Sequence, residues 1–207
     1  MKKFLLLVTL LFSICLINAQ NPVELVLKKY FRTHPFNMLF SSFINSLKKD
    51  SLFTIDDYYR RTDSTFFFLS GTYKKFNPFH YQAAEVRMVI SESELSYSDS
   101  LNTIDTIMTI QMMGITDSGI ANKNQVIKEF QRFHENQGEK FWKNNYKNVD
   151  QHGETIAEIF NYFVYPYSVS PFAIAWGQLP DTHKYTFTIT LRCKIKENVA
   201  DLLTPPE

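Results

Sequence analysis

The chain predicts an α+β domain: an antiparallel sheet of about five strands with helices packed on one face. Three observations carry this expectation. Apolar residues recur at steps of three and four from residues 22 to 47, and again at residues 126–133. From Tyr185 to Ile195 they alternate with polar residues. Between these regions the apolar runs are joined by connections too short for crossover helices, so neighbouring strands should be antiparallel.

The chain opens on a leader rather than a structural element. Met1-Lys2-Lys3 is a short positive start, Phe4 to Ile17 is almost unbroken hydrocarbon, and Ile17 and Ala19 stand three and one places before Gln20. Charge, apolar stretch and small-residue exit are the parts of a secretory signal peptide over residues 1–19. Fourteen apolar residues at 1.5 Å rise cover about 21 Å, short of the ~30 Å hydrocarbon core of a bilayer. Lipidation at Cys15 is disfavoured, because Ile14 precedes it where a small residue is expected. The expectation is therefore an exported protein, periplasmic or extracellular, with no integral membrane segment once the leader is gone.

Cleavage leaves 188 of the 207 residues as one globular domain, residues 20–207, with a frayed tail from about residue 198. Lys2 and Lys3 leave with the leader, so 20 basic residues face 21 acidic ones. This near-neutral balance lacks the basic field of a nucleic-acid binder. Only Cys193 remains of the two cysteines, so no disulfide can staple the domain. Stability must come from burial, and 17 Phe (the chain's 19 less Phe4 and Phe12), 11 Tyr and 2 Trp supply the means.

In order, Asn21-Pro22 caps a first helix bearing Val23, Val26, Leu27, Tyr30 and Phe31. Pro35 ends or kinks it, and Phe36, Leu39, Phe40, Phe43, Ile44 and Leu47 stripe a second. Strands follow at residues 65–73, 86–90 and 107–112, with the polar stretch Ser91–Ser100 as a loop. Val126, Ile127, Phe130 and Phe133 mark a third helix, stopped at Gly138. Residues 139–150 are ambiguous by pattern and compatible with a continuation of that helix; Ile156, Ile159, Phe160 and Phe163 read as a short helix, with strand over Phe163 to Tyr167 as the alternative. Phe172–Trp176 and residues 185–196 close the chain as a hairpin, the last strand with Thr186, Thr188, Thr190 and Arg192 on a wet face. No internal repeat is visible.

No sequence motif for a nucleophile elbow, zinc helix, dinucleotide fold or phosphate loop occurs, and nothing implies a cofactor or metal. Cys193, in register with Leu191 and Ile195, reads as core filler. None of His34, His80, His134, His152 and His183 is three to five residues from another. Asp56-Asp57 beside Arg60-Arg61 reads as surface ion pairing. Four Asp-Ser/Thr-apolar triplets, at Asp50, Asp63, Asp99 and Asp105, match an O-glycosylation acceptor and equally match ordinary turns.

The aromatic connector is the most suggestive segment. Tyr162, Tyr165, Tyr167 and Trp176 are the candidate ligand or partner contacts, since such rings present an apolar body and a polar tip. The function expected is a non-catalytic binding or envelope-associated module with an aromatic-lined pocket or patch, its partner an unknown protein or small apolar ligand. Two alternatives stand beside it: a secreted hydrolase using the loop histidines His80, His152 and His183 with a carboxylate, and a periplasmic carrier of an apolar ligand.

Overall fold

Eight strands form one antiparallel sheet in the computed structural model of the protein, ordered β1-β2-β3-β4-β8-β7-β6-β5. The residues described are 26–33, 35, 38–60, 67–98, 103–137, 142–163, 172–179 and 182–194. The leader with Cys15, the first-helix cap, His34, Tyr165, Tyr167 and the tail lie outside them. The strands are β1 Phe53–Arg60, β2 Phe67–Tyr73, β3 Glu85–Ser98, β4 Thr103–Ile115, β5 Trp142–Val149, β6 Thr155–Phe163, β7 Phe172–Gln178 and β8 Tyr185–Lys194. Two α-helices, α1 Phe40–Lys49 and α2 Ile120–Gln137, and a 3-10 turn at Lys28–Tyr30 complete the described elements.

This overturns the expected five-stranded α+β architecture: the fold is mostly sheet. Three of the differences have physical causes. Ile156, Ile159, Phe160 and Phe163 are spaced like a helix, yet they lie in β6, where Phe160 and Tyr162 face one side and Ile159 and Phe163 the other. A helical template drew its members from both faces of one strand. β5 lies at the sheet's edge, and its described side chains from Lys143 to Val149 are exposed apart from half-buried Asn144. With no buried face it has no alternation to read. In β1 the bulge between Ile55 and Asp57 breaks the period, so Phe53, Ile55 and Tyr58 share a side at uneven spacing. The polar run Ser91–Ser98 is likewise strand, paired with β4 through Ser98↔Thr103.

The topology repeats although the sequence does not. A helix followed by a four-stranded meander occurs twice, α1 with β1–β4 and α2 with β5–β8. The last strand of each meander meets the other at the centre, in the antiparallel pairing Ile110↔Leu191 and Met112↔Ile189.

Both helices pack on the same side of the sheet. Register places Leu69, Met88, Ile90, Met108, Ile110, Met112, Phe187, Ile189, Phe172 and Ile174 on that side, all buried. Phe40, Phe43, Ile44 and Leu47 of α1 and Val126, Phe130 and Phe133 of α2 close over them. Phe40 meets Phe67 edge-on at 5.9 Å, and Phe133 meets Phe172 at 6.3 Å. Two glycines admit rings onto the sheet. A Cβ on Gly71 would collide with the Phe53 ring, and one on Gly114 with Phe79 and Tyr81. Tyr81 then donates to the Gly114 carbonyl at 2.6 Å.

The opposite side of the sheet departs from the wet face expected of β8. Thr186, Thr188 and Thr190 are 8%, 9% and 7% exposed. Their side chains are short, and they stand between β4 and β7, in line with Met113 and Ala175. Thr186 and Thr188 satisfy each other through their hydroxyls at 3.3 Å.

Candidate functional site

α2 carries two stripes. Val126, Glu129, Phe130 and Phe133 are buried, and α2 packs chiefly on β8 and β7. Lys123, Ile127, Phe130 and His134, spaced four, three and four, form a second stripe along one helix side. This stripe reaches β6: Phe130 stacks on Phe160 at 5.2 Å, and His134 lies on the same ring at 4.0 Å and 5°. Beyond it, the helix side of β6 and β5 forms a ledge. Its floor is Glu158, Phe160 and Tyr162, with Trp176 of β7 beside Glu158. Its outer row is Lys143, Asn145 and Lys147, paired with Tyr162, Phe160 and Glu158 in that order.

The ledge is polar at its rim and aromatic beneath. Lys147 Nζ lies 3.3 Å from Glu158 Oε1, which also accepts from Asn145 Nδ2 at 2.8 Å. Lys123 Nζ stands 6.0 Å from the Trp176 ring centre. The Trp176 indole is buried, and its Nε1 donor has no hydrogen-bond partner among the described residues. Three lysines and one carboxylate leave the ledge with positive charge. His134 Nδ1 is 3.2 Å from the Tyr162 hydroxyl, and Lys143 Nζ is 3.3 Å from His134 Nε2. The ammonium can only donate, so Nε2 accepts and the proton rests on Nδ1, directed at Tyr162. Desolvation first, and the Lys143 charge second, hold the His134 pKa below its ordinary value. Burial pushes the Tyr162 phenol up. At neutral pH the imidazole is therefore neutral, with Nε2 as its acceptor, and the phenol keeps its proton.

Two of the four expected contact residues, Tyr162 and Trp176, belong to this ledge as its buried floor. Tyr162 is fully buried and stacks on Phe172 at 4.6 Å and 9°. The sequence reading missed Phe160, His134, Lys143 and Lys147. The stripe Lys123-Ile127-Phe130-His134 was the signal that could have found His134.

The loop histidines lie at one end of the sheet but on three connections. His80, between β2 and β3, places Nδ1 3.0 Å from both oxygens of Glu129, a carboxylate whose side chain is 3% exposed. His152 meets Gln151 at 3.2 Å and His183 meets Gln178 at 2.9 Å. The three take different partners. Among the described residues no three His, Cys, Asp or Glu side chains form a group able to hold a metal ion.

An open depression is lined by Arg32, Thr33, Ser46, Lys49, Asp50 and Ser51. Its centre is a latch: the Asp50 carboxylate accepts from Arg32 Nε at 3.0 and 3.2 Å, Thr33 Oγ1 at 3.4 Å and Leu52 N at 3.0 Å. These bonds tie the N-terminal segment to the turn after α1. No described helix is long and apolar enough to cross a membrane. Compared with protein-family models, curated proteins and solved structures, the chain matches none of them.

Proposed function

We propose that the protein is an exported, non-catalytic binding module and that its ligand lies on the ledge beside α2. One observation supports this most: α2 covers β8 and β7 and reaches β6 through Phe130, Phe133 and His134, yet Phe160 stays half-buried beside the lysines of β5. Such a surface suits a ligand with a flat apolar body and a negative charge. The test uses anilinonaphthalene sulfonate, which has both features. Binding should be saturable and should weaken about tenfold in Lys143→Glu/Lys147→Glu, as the loss of two favourable charges implies. No saturable binding, or equal binding by the variant, overturns the reading. Export is tested separately: the protein recovered outside the cytosol should begin at Gln20, and an intact Met1 there refutes cleavage.

A hydrolase has one contact in its favour, the half-exposed His80 on buried Glu129, which is the pairing of a base with its orienting carboxylate. Turnover of a sugar or peptide substrate that is lost in His80→Ala would support it over the ledge. The carrier of an apolar ligand would use the ledge itself.

A further inference from the structure

We propose that the open edge of β5 takes an extended, acidic protein segment as a ninth strand. This stands on the edge of the sheet rather than on the ledge. β5 ends the strand order, so alternate residues turn their N–H and C=O groups outward with no neighbouring strand among the described residues. Its eight residues contain no Pro or Gly, and its pairing with β6 is regular from Trp142 to Asn148, shifting only at Val149. A continuous ladder of this kind is a template for strand addition. The opposite edge is guarded: β1 is bulged between Ile55 and Asp57, and the Asp56 carboxylate is taken by the Thr72 hydroxyl.

Charge selects the occupant. β5 carries Lys143 and Lys147 on one side and no acidic residue. Across an antiparallel pair, residues facing each other have Cβ atoms about 5 Å apart, so carboxylates on alternate residues of an added strand would meet these ammonium groups. The same lysines disfavour a second copy of β5, which would bring its own two. Among the described residues, three of the seven exposed large hydrophobic side chains, Tyr146, Val149 and Ile156, sit on this hairpin, and Tyr146 offers a ring to the added strand on the other side.

The experiment is hydrogen exchange and affinity measurement on the full chain with two peptides of alternating Val and Glu or Val and Lys. The Val/Glu peptide should slow exchange of outward β5 amides and bind about tenfold more tightly than the Val/Lys peptide, with the preference shrinking as salt rises. A Val/Glu peptide N-methylated at every residue keeps the carboxylates but cannot donate to the edge and should not bind, while Phe160→Leu should weaken anilinonaphthalene sulfonate and leave binding of the unmethylated peptide unchanged; this separates the edge from the ledge. Equal protection by both peptides, no protection, or protection that instead follows protein concentration with dimer formation each overturns the proposal.

Discussion

The imidazole of His134 lies flat on the ring of Phe160, 4.0 Å between centroids and 5° from parallel, and this contact ties α2 to β6. It also fixes how the site responds to protons. Stacking removes water from one face of the imidazole, and Lys143 disfavours a second positive charge beside it. The unfolded chain therefore binds a proton at this site more readily than the folded one. Stability attributable to His134 should be intact above its ordinary pKa of 6.5 and should decline as pH falls from there through the lower folded value. NMR titration of the His134 ring should give a pKa under 6.5, and Lys143→Gln should raise it. A value above 6.5 in the native protein refutes the assignment.

The Gly114 position predicts a packing cost. Phe79 and Tyr81 occupy the space a side chain would need, and Tyr81 donates to that residue's own carbonyl. Gly114→Ala should destabilise by about 1–3 kcal/mol in urea unfolding, because the loop must shift to accommodate one methyl group. Gly114→Ala with wild-type stability would mean the two rings move without cost.

How much of this was legible beforehand depends on burial. α1 was readable because Phe40, Phe43, Ile44 and Leu47 form one fully buried stripe on an otherwise polar helix. The central strands of β3, β4 and β8 were readable because one face of each enters the core. β5 and β6 were not, since an edge strand is wet on both sides and its neighbour holds apolar residues on both. The ledge was half legible. Tyr162 and Trp176 stood out as aromatics, but rings alone do not show that they lie under cations. That required the pairings Lys143↔Tyr162 and Lys147↔Glu158, which join residues far apart in the chain.

The uncovered floor of the ledge predicts how Phe160 variants behave. Its ring touches Phe130, His134 and Tyr162, and it is only half buried. Phe160→Leu keeps most of the apolar volume and should cost under about 1.5 kcal/mol of stability. It removes the flat face on which the imidazole stacks, so the His134 pKa should move toward 6.5 and anilinonaphthalene sulfonate should bind more weakly. Unchanged His134 titration would show that helix burial alone sets its proton affinity.

Glu129 and His80 give the last prediction, because their two burials differ. Glu129 is on the core side of α2, its side chain 3% exposed, whereas the His80 side chain is 47% exposed. The His80 backbone N–H also points at Glu129 Oε2, 3.4 Å away. Removing the imidazole leaves a carboxylate in the core with little else to satisfy it. Removing the charge instead, by Glu129→Gln, leaves an amide that still accepts from the His80 backbone N–H and still pairs with Nδ1. His80→Ala should therefore cost more than Glu129→Gln, by about 1–3 kcal/mol for an unsatisfied buried acceptor. Urea unfolding of the two variants at pH 6 measures the order. Hydrogen exchange should show residues 74–84 opening in His80→Ala while β4 and β8 stay protected, since the loop is held to α2 by this contact whereas β4 and β8 are paired with each other along their length. The reverse order of stabilities would mean that water reaches the carboxylate in the native protein, and the hold of His80 on Glu129 would then lie in the backbone N–H contact alone.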